Sequence, residues 1–368
     1  MEIKILVSTL LLAIFMQNCA PKKPEVVVRF FEEVAGEVAG EQIPQPIHGQ
    51  KSVHAFETVI YERIDELFIG YPLQMSVSKD DLFIGDSFEP MIIHYNLKDK
   101  KTDRFLSKGR GPQETSPPVI LFANPFGDNK LYRYSNVAFD LGFYPLDSLS
   151  VFVPLYKLPL YSSVIPYEKD RFLGTGMFKD EYRYKVLNAE GIVIGSFGTY
   201  PDFLDGENQI PLDARAMFHQ VRFANSYRMK KLVAASNYVL DIIDYSLDIT
   251  HNSITRILLA PYNYEYESGS YIYAQEKKGI VKGAFSIACD ATYIYLLFDP
   301  GIVGQKNNEV KKEIWILDWN GKSVKKLILD ADVKEITADP FSNDHSIFGL
   351  AYEIHGDDEH YKIVKIKL

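Results

Sequence analysis

With 368 residues and 46% hydrophobic content, the chain is long enough for one large domain or two ordinary ones. Acidic residues (49) outnumber basic ones (40) for a formal charge of −9, and no long basic stripe is present to follow a phosphate backbone, which argues against a nucleic acid partner. Aromatics supply 13%, led by 24 Tyr and 23 Phe, a bias that favours strands because such side chains pack well on pleated surfaces.

The N-terminus opens with Met1-Glu2-Ile3-Lys4, continues as a twelve-residue apolar run from Ile5 to Met16, and then reads Gln17-Asn18-Cys19-Ala20-Pro21-Lys22-Lys23. A short charged region, an apolar core and a processing site form the layout of a secretory signal peptide, here residues 1–18. The run falls well short of the roughly 20 apolar residues needed to span a bilayer. A cysteine directly after such a core resembles the lipobox of bacterial lipoproteins, although Asn18 and Met16 replace the small residue and the branched aliphatic of that pattern. The resemblance implies that Cys19 is diacylated, becomes the mature N-terminus and holds the protein on a bilayer by lipid alone.

Residues 19–50 are rich in Pro, Gly and Glu and repeat Glu-Val-Ala-Gly at 33–36 and 37–40. Unless it docks on the body, such a stretch buries too little apolar area to offset its ordering entropy, and it reads as a flexible tether. Lys22 and Lys23 stand where surface-bound lipoproteins of Bacteroidota often carry an acidic cluster, so the expected location is the outer membrane, facing the periplasm.

From residue 51 to 368, apolar runs are short and bounded by Gly, Asp, Asn or Pro, and 3.6-residue periodicity is scarce. A unit of strand, turn, strand and polar tip recurs. It is clearest at Asp81–Gly85 with Met91–Leu97, at Tyr182–Gly191 with Ile192–Gly195, at Tyr238–Ser246, and at Glu313–Lys322 with Val324–Leu327. Six modules are expected, near 70–115, 116–160, 161–205, 215–265, 280–332 and 333–368. The last is short of a strand, and the stretch from His54 to Leu67 is expected to supply it and close the ring. The predicted fold is all-β: one six-bladed propeller with four-stranded antiparallel blades. Two β-sandwiches would also give short strands, but no linker divides the chain after residue 50.

The string Phe105-Leu106-Ser107-Lys108-Gly109-Arg110-Gly111-Pro112-Gln113-Glu114 ends the first module. It resembles the Gly-Arg-Gly-Pro-Gly-Glu signature of the six-bladed, TolB-like propeller lipoproteins of Bacteroidota, with Gln113 in place of the last glycine. The resemblance extends over about residues 50–368 and implies fold and compartment, not activity. Gly109 and Gly111 allow positive φ in a tight turn, Pro112 fixes the backbone after them, and Arg110 and Glu114 can pair across the turn, or Arg110 can bond blade carbonyls. A structural turn is favoured; an anion nest beside Arg110 and Lys108 is the alternative.

Catalytic signatures are absent: there is no Gly-x-Ser-x-Gly, no His-Glu-x-x-His and no Cys-x-x-Cys, and the eight histidines are dispersed. Cys289, in an alternating run, reads as a buried apolar thiol. Acidic turns at Lys79-Asp80-Asp81, Phe203–Asn208 and Gly356–His360 read as solvated loops, with calcium as a possible ligand if several converge on the axis. Tyr262, Tyr264, Tyr266, Tyr271 and Tyr273 read as packing or as a stacking surface for sugar or peptide. The leading expectation is a membrane-tethered binding or scaffolding module for an envelope protein, peptide or glycan, with no catalytic residue and no metal site assigned. A calcium-dependent propeller hydrolase or lactonase is the alternative.

Overall fold

Short apolar runs broken by tight turns can bury side chains on both faces only if sheet stacks on sheet, and the computed structural model of the protein shows that arrangement. It describes residues 26–30, 56–58, 62–67 and 69–368, apart from 110, 112–113, 248, 250–252, 268–271, 306–309 and 356–357; for 26–30, 56–58, 62–67, 354–355 and 358–360 only the backbone is described.

Six four-stranded sheets follow one another along the chain. Blade 1 comprises Pro72–Ser78, Asp81–Asp86, Ile92–Asn96 and Thr102–Phe105. Blade 2 comprises Val119–Ala123, Lys130–Ser135, Asp140–Pro145 and Val153–Lys157, and blade 3 Tyr161–Glu168, Arg171–Gly176, Tyr182–Leu187 and Val193–Thr199. Blade 4 holds Arg222–Ser226, Lys231–Ala235, Val239–Asp244 and Ser253–Leu258, and blade 5 Val281–Cys289, Tyr293–Ile302, Glu313–Asp318 and Ser323–Ile328. Blade 6 is made of Asp332–Ala338, Ser346–His355 and Asp358–Lys367, with Glu62–Leu67 as its fourth strand, antiparallel to Asp358–Lys367. Early and late segments of the chain thus share one sheet.

The first strand of each blade touches the first strands of both neighbours, from blade 1 round to blade 6 and back, so these six strands are innermost. Side chains tie them together. Gln74 Nε2 donates to the Leu121 carbonyl at 3.1 Å while its Oε1 accepts from the Leu121 N–H at 2.5 Å, and Ser76 Oγ accepts from the Ala123 N–H at 2.9 Å.

Two blades carry a fifth strand. Phe56–Thr58 runs parallel to the outer strand of blade 5, and Val26–Phe30 runs parallel to that of blade 4. Within the stretch 19–50, expected as a tether, the five residues Val-Val-Val-Arg-Phe form this strand; the rest lies outside the described residues. An open blade edge offers unpaired N–H and C=O groups, and a β-branched run is the segment suited to take them.

Polar stitches cross the apolar seams. Tyr134 of blade 2 donates to the Tyr161 carbonyl of blade 3 at 2.8 Å. Between blades 3 and 4, Asp241 accepts from Arg183 at 2.8 Å, from Arg256 Nε at 2.7 Å and from the Tyr184 hydroxyl at 2.6 Å. Arg183 also reaches the His219 carbonyl at 2.9 Å, and Arg256 that of Thr199 at 2.7 Å. All four side chains are buried. Burial alone would raise the Asp241 pKa, but the two guanidinium groups hold it down at about 2. Asp241→Ala strands two buried cations, so unfolding by urea should show a loss of about 3–5 kcal/mol, whereas Asp244→Ala, at the partly exposed edge of the same strand, should change stability by under about 1 kcal/mol.

Candidate functional site at the upper end of the ring

Antiparallel alternation sorts the loops. Those joining first to second and third to fourth strands gather at one end, here called lower; those joining second to third strands, and one blade to the next, gather at the upper end. Among the connections between strands of the six blades from residue 72 onward, the longest are upper: 106–118, 200–221 and 259–280. They carry a 3-10 turn Glu207–Gln209, the helix Leu212–Phe218 and a hairpin of Tyr264–Glu267 with Tyr273–Glu276.

The lower end is filled on its axis. Tyr227 of blade 4 meets Phe126 of blade 2 edge-on at 5.2 Å and stacks on Phe341 of blade 6 at 5.7 Å. Arg228 beside it donates to Asn343 of blade 6 at 3.1 Å. Loops from three alternate blades can meet only near the axis, so aromatic rings plug that end. A mixed-charge groove of about 360 Å³ does lie there between blades 1 and 6, lined by Lys79, Lys100, Asp339, Asp344, Phe348 and Lys365. Its acids are partly satisfied: Asp339 accepts from the Lys79 backbone N–H at 3.0 Å, and Asp344 lies 3.8 Å from the Lys365 ammonium.

Nearer the axis, Glu335 on the inner strand of blade 6 accepts from Ser286 Oγ of blade 5 at 2.8 Å. Ser286 Oγ in turn accepts from the Ile336 N–H at 3.2 Å. Burial pushes the Glu335 carboxyl up to about 7, against the smaller opposing effects of Arg222 and the Ser286 hydrogen bond. No sequence signal marked this residue; its neighbour Ser286 lies 49 positions away.

The upper insertions are organised by another carboxylate, Glu207. It accepts from the Phe203 N–H (2.9 Å), His219 Nε2 (2.8 Å) and the hydroxyls of Tyr262 (2.7 Å) and Tyr264 (3.2 Å). Burial lowers the His219 pKa to about 4, so the ring is neutral and donates to an ionised Glu207. Phe218 stacks on Tyr264 at 3.9 Å to complete the cluster.

These contacts resolve several expectations. Of the tyrosine run, Tyr262 and Tyr264 are buried packing, whereas Tyr266 and Tyr273 are exposed. The acidic turn at Phe203–Asn208 is not a solvated loop at Glu207, which is buried among donors. Asp81 accepts from His94 at 2.8 Å and Asn96 at 3.0 Å. Among the described residues, no three His, Cys, Asp or Glu side chains gather as a metal site would require. The side chains of Asp358, Glu359 and His360, and Cys19 with its leader, lie outside the described residues. Cys289 is a free, buried thiol whose pKa burial raises.

In the glycine motif, Ser107–Lys108 pairs parallel with Glu114–Thr115, and the Glu114 carboxylate accepts from the Gly111 N–H at 2.7 Å. Arg110 and Pro112 lie outside the described residues. Gly109 does not use the left-handed freedom that glycine allows: its backbone is not left-handed, and a Cβ there would overlap the Glu114 carboxylate. Glycine is needed for close approach, and the chain supplies its own anion to the turn.

Six inner strands about a common axis, with four-stranded blades and a loop-built upper end, define a six-bladed β-propeller. The profile of the TolB-like 6-blade propeller-like family matches residues 51–340, and the chain belongs to that family. No curated protein sequence matches the chain. Among solved structures, a Bacteroides fragilis protein described as exported is 9% identical, with a TM-score of 0.54, covering 94% of this chain and 99% of that one. A DUF4221 family member from Bacteroides vulgatus is 10% identical, with a TM-score of 0.47 over 85% of this chain and 98% of that one. The PQQ-bound aldose sugar dehydrogenase of Streptomyces coelicolor is 9% identical, with a TM-score of 0.46 over 84% of this chain and 98% of that one. Likeness at this level speaks to the fold alone.

Glu335 gives a pH signature. Its folded pKa, about 7, lies above the ordinary 4.5, so its contribution is full below pH 4.5, declines as pH rises towards 7 and is level above that. Each tenfold difference in proton affinity between the folded and unfolded chain is worth about 1.4 kcal/mol, so the decline amounts to about 3 kcal/mol. Glu335→Gln should remove that slope between pH 4.5 and 7 in urea midpoints measured across the range, while Glu190→Gln, on an exposed turn, should leave it in place.

Proposed function

We propose that the protein is an exported lipoprotein of the cell envelope, anchored through acylated Cys19, whose propeller binds a protein, peptide or glycan at its upper face. The observation that carries the binding face is the polarity of the ring: aromatic side chains fill the lower axial end, while the long loops are upper. Irregular loops on a rigid scaffold are where recognition residues concentrate.

The exposed side chains of that face have suitable chemistry. Tyr71 and Phe88 of blade 1 are 59% and 63% exposed, and Tyr266 and Tyr273 of the hairpin also stand out from the surface. Aromatic rings offer large contact area at low entropic cost, and their faces stack on sugars and peptide backbones alike. Glu207, by contrast, is occupied by its own donors, so the insertions are stiffened from within and present their outer aromatics in a fixed arrangement. The envelope assignment rests on the apolar leader and Cys19.

Three measurements test the reading. Cys19→Ala should move the protein from the membrane to the soluble fraction, and the native chain should have the mass of a polypeptide beginning at an acylated Cys19. A photo-cross-linking residue at position 88 or 273 should give discrete adducts with one envelope protein or glycan in cells, and the same residue at position 192 on a lower loop should not. Adducts only from position 192 would move the binding face to the lower end.

A further inference from the structure

The strand Val26–Phe30 fixes where an N-terminal anchor can lie. Val26 stands opposite Ile254 and Phe30 opposite Leu258, parallel to the outer strand of blade 4. That outer strand follows the lower loop 245–252 and runs to the upper end, so Val26 sits at the lower end. Seven peptide steps separate it from Cys19, a reach of about 25 Å when fully extended. A free chain as far as residue 50 would reach about 100 Å.

The surface at that end of blade 4 has the chemistry of a bilayer contact. Leu247, in the loop 245–252, is 89% exposed, more than any other large apolar side chain among the described residues, and Met229 on the adjacent lower loop is exposed too. Arg228 and Lys230 flank Met229, and the lower turns of blades 3 and 5 add exposed Lys169 and Lys322; Asp170 and Glu190 are exposed acids on blade 3. An apolar side chain projecting between basic ones suits the boundary between acyl chains and headgroups.

The geometry points to one fixed orientation on the membrane: the lower end of blade 4, led by Leu247, lies against the bilayer surface, and the upper face is turned away from it. This rests on the reading that Cys19 is lipidated. A short leash beginning at the lower end and an apolar projection at the same end act together, because a lipid anchor raises the local concentration of the surface residues nearest its attachment. The upper aromatics are then free to meet a partner without lifting the anchor.

The test uses the full acylated chain in vesicles of phosphatidylethanolamine and phosphatidylglycerol that contain a nitroxide-bearing lipid. A bimane is attached to Leu247→Cys or to Tyr273→Cys, which lie on lower and upper loops attached to blade 4; the native Cys289 is buried and spared. Quenching should be several-fold stronger at 247 than at 273. Val27→Pro/Val28→Pro, which places a proline at one ladder-facing position whichever of the two that is and so lengthens the leash, should keep the protein on the vesicles while narrowing that difference. Equal or reversed quenching in chains whose mass shows acylated Cys19 overturns the orientation and leaves the lipoprotein reading standing. An unchanged difference in the Val27→Pro/Val28→Pro double variant overturns the strand's part in it. Chains lacking the acyl mass overturn both.

Discussion

A blade of this propeller is a sheet with two apolar faces, and no single blade can cover both. In blade 1, Leu82, Ile84, Ile93 and Tyr95 pack with Phe348, Leu350 and Ile363 of blade 6. The intervening Phe83 and Ile92 pack with Leu121, Leu131 and Tyr144 of blade 2. Alternate residues of one strand therefore serve opposite neighbours, which is the period-2 geometry of a strand applied to a sheet buried on both sides. Removing any blade would expose apolar faces on two others, so closure of the ring is a condition of the fold. The side-chain bonds between inner strands, such as Gln74 to Leu121, are possible only because that packing holds adjacent inner strands in contact.

The same double burial made the architecture legible in the sequence. A strand that serves two neighbours reads as an unbroken apolar run, as in Leu82-Phe83-Ile84 or Ile314-Trp315-Ile316-Leu317, and polar turns bracket each run. Counting those runs recovers six modules whose limits fall close to the blades. What escaped has local causes. The helix Leu212–Phe218 has seven residues, too few for a 3.6-residue period to show, although Pro211 before a stretch of good helix formers was a usable signal. The strand Val26–Phe30 is obscured by the Pro, Gly and Glu around it, because composition averaged over a segment hides a five-residue run that needs only an open edge to pair with.

The site was less legible, since its chemistry depends on partners distant in sequence. Glu207 looks like a turn acid because neither His219 nor Tyr262 announces that it will face it. Glu335 sits in Lys334-Glu335-Ile336, a pattern usual for a strand with one wet face, and only the inner position of its strand buries it. Gly109 suggests a left-handed turn because that is the commonest need for glycine; the actual need, room for the Glu114 carboxylate, is a tertiary contact in miniature.

The buried carboxylates also differ in what they can do. Asp241 and Glu207 are surrounded by donors that favour the charged form, so both stay ionised far below neutrality and act as fixed joints. Glu335 has one hydroxyl donor and a more distant guanidinium, too little to offset its burial, and it exchanges its proton near neutrality. The fixed joints lie where blade 3 meets blade 4 and beneath the upper insertions, the parts that must hold the exposed aromatics in place. The titrating group lies on the inner strand, where Ser286 links blade 5 to blade 6. A change of charge there acts on the seam between two inner strands and leaves the platform of the upper loops intact, because the two sets of contacts share no residue.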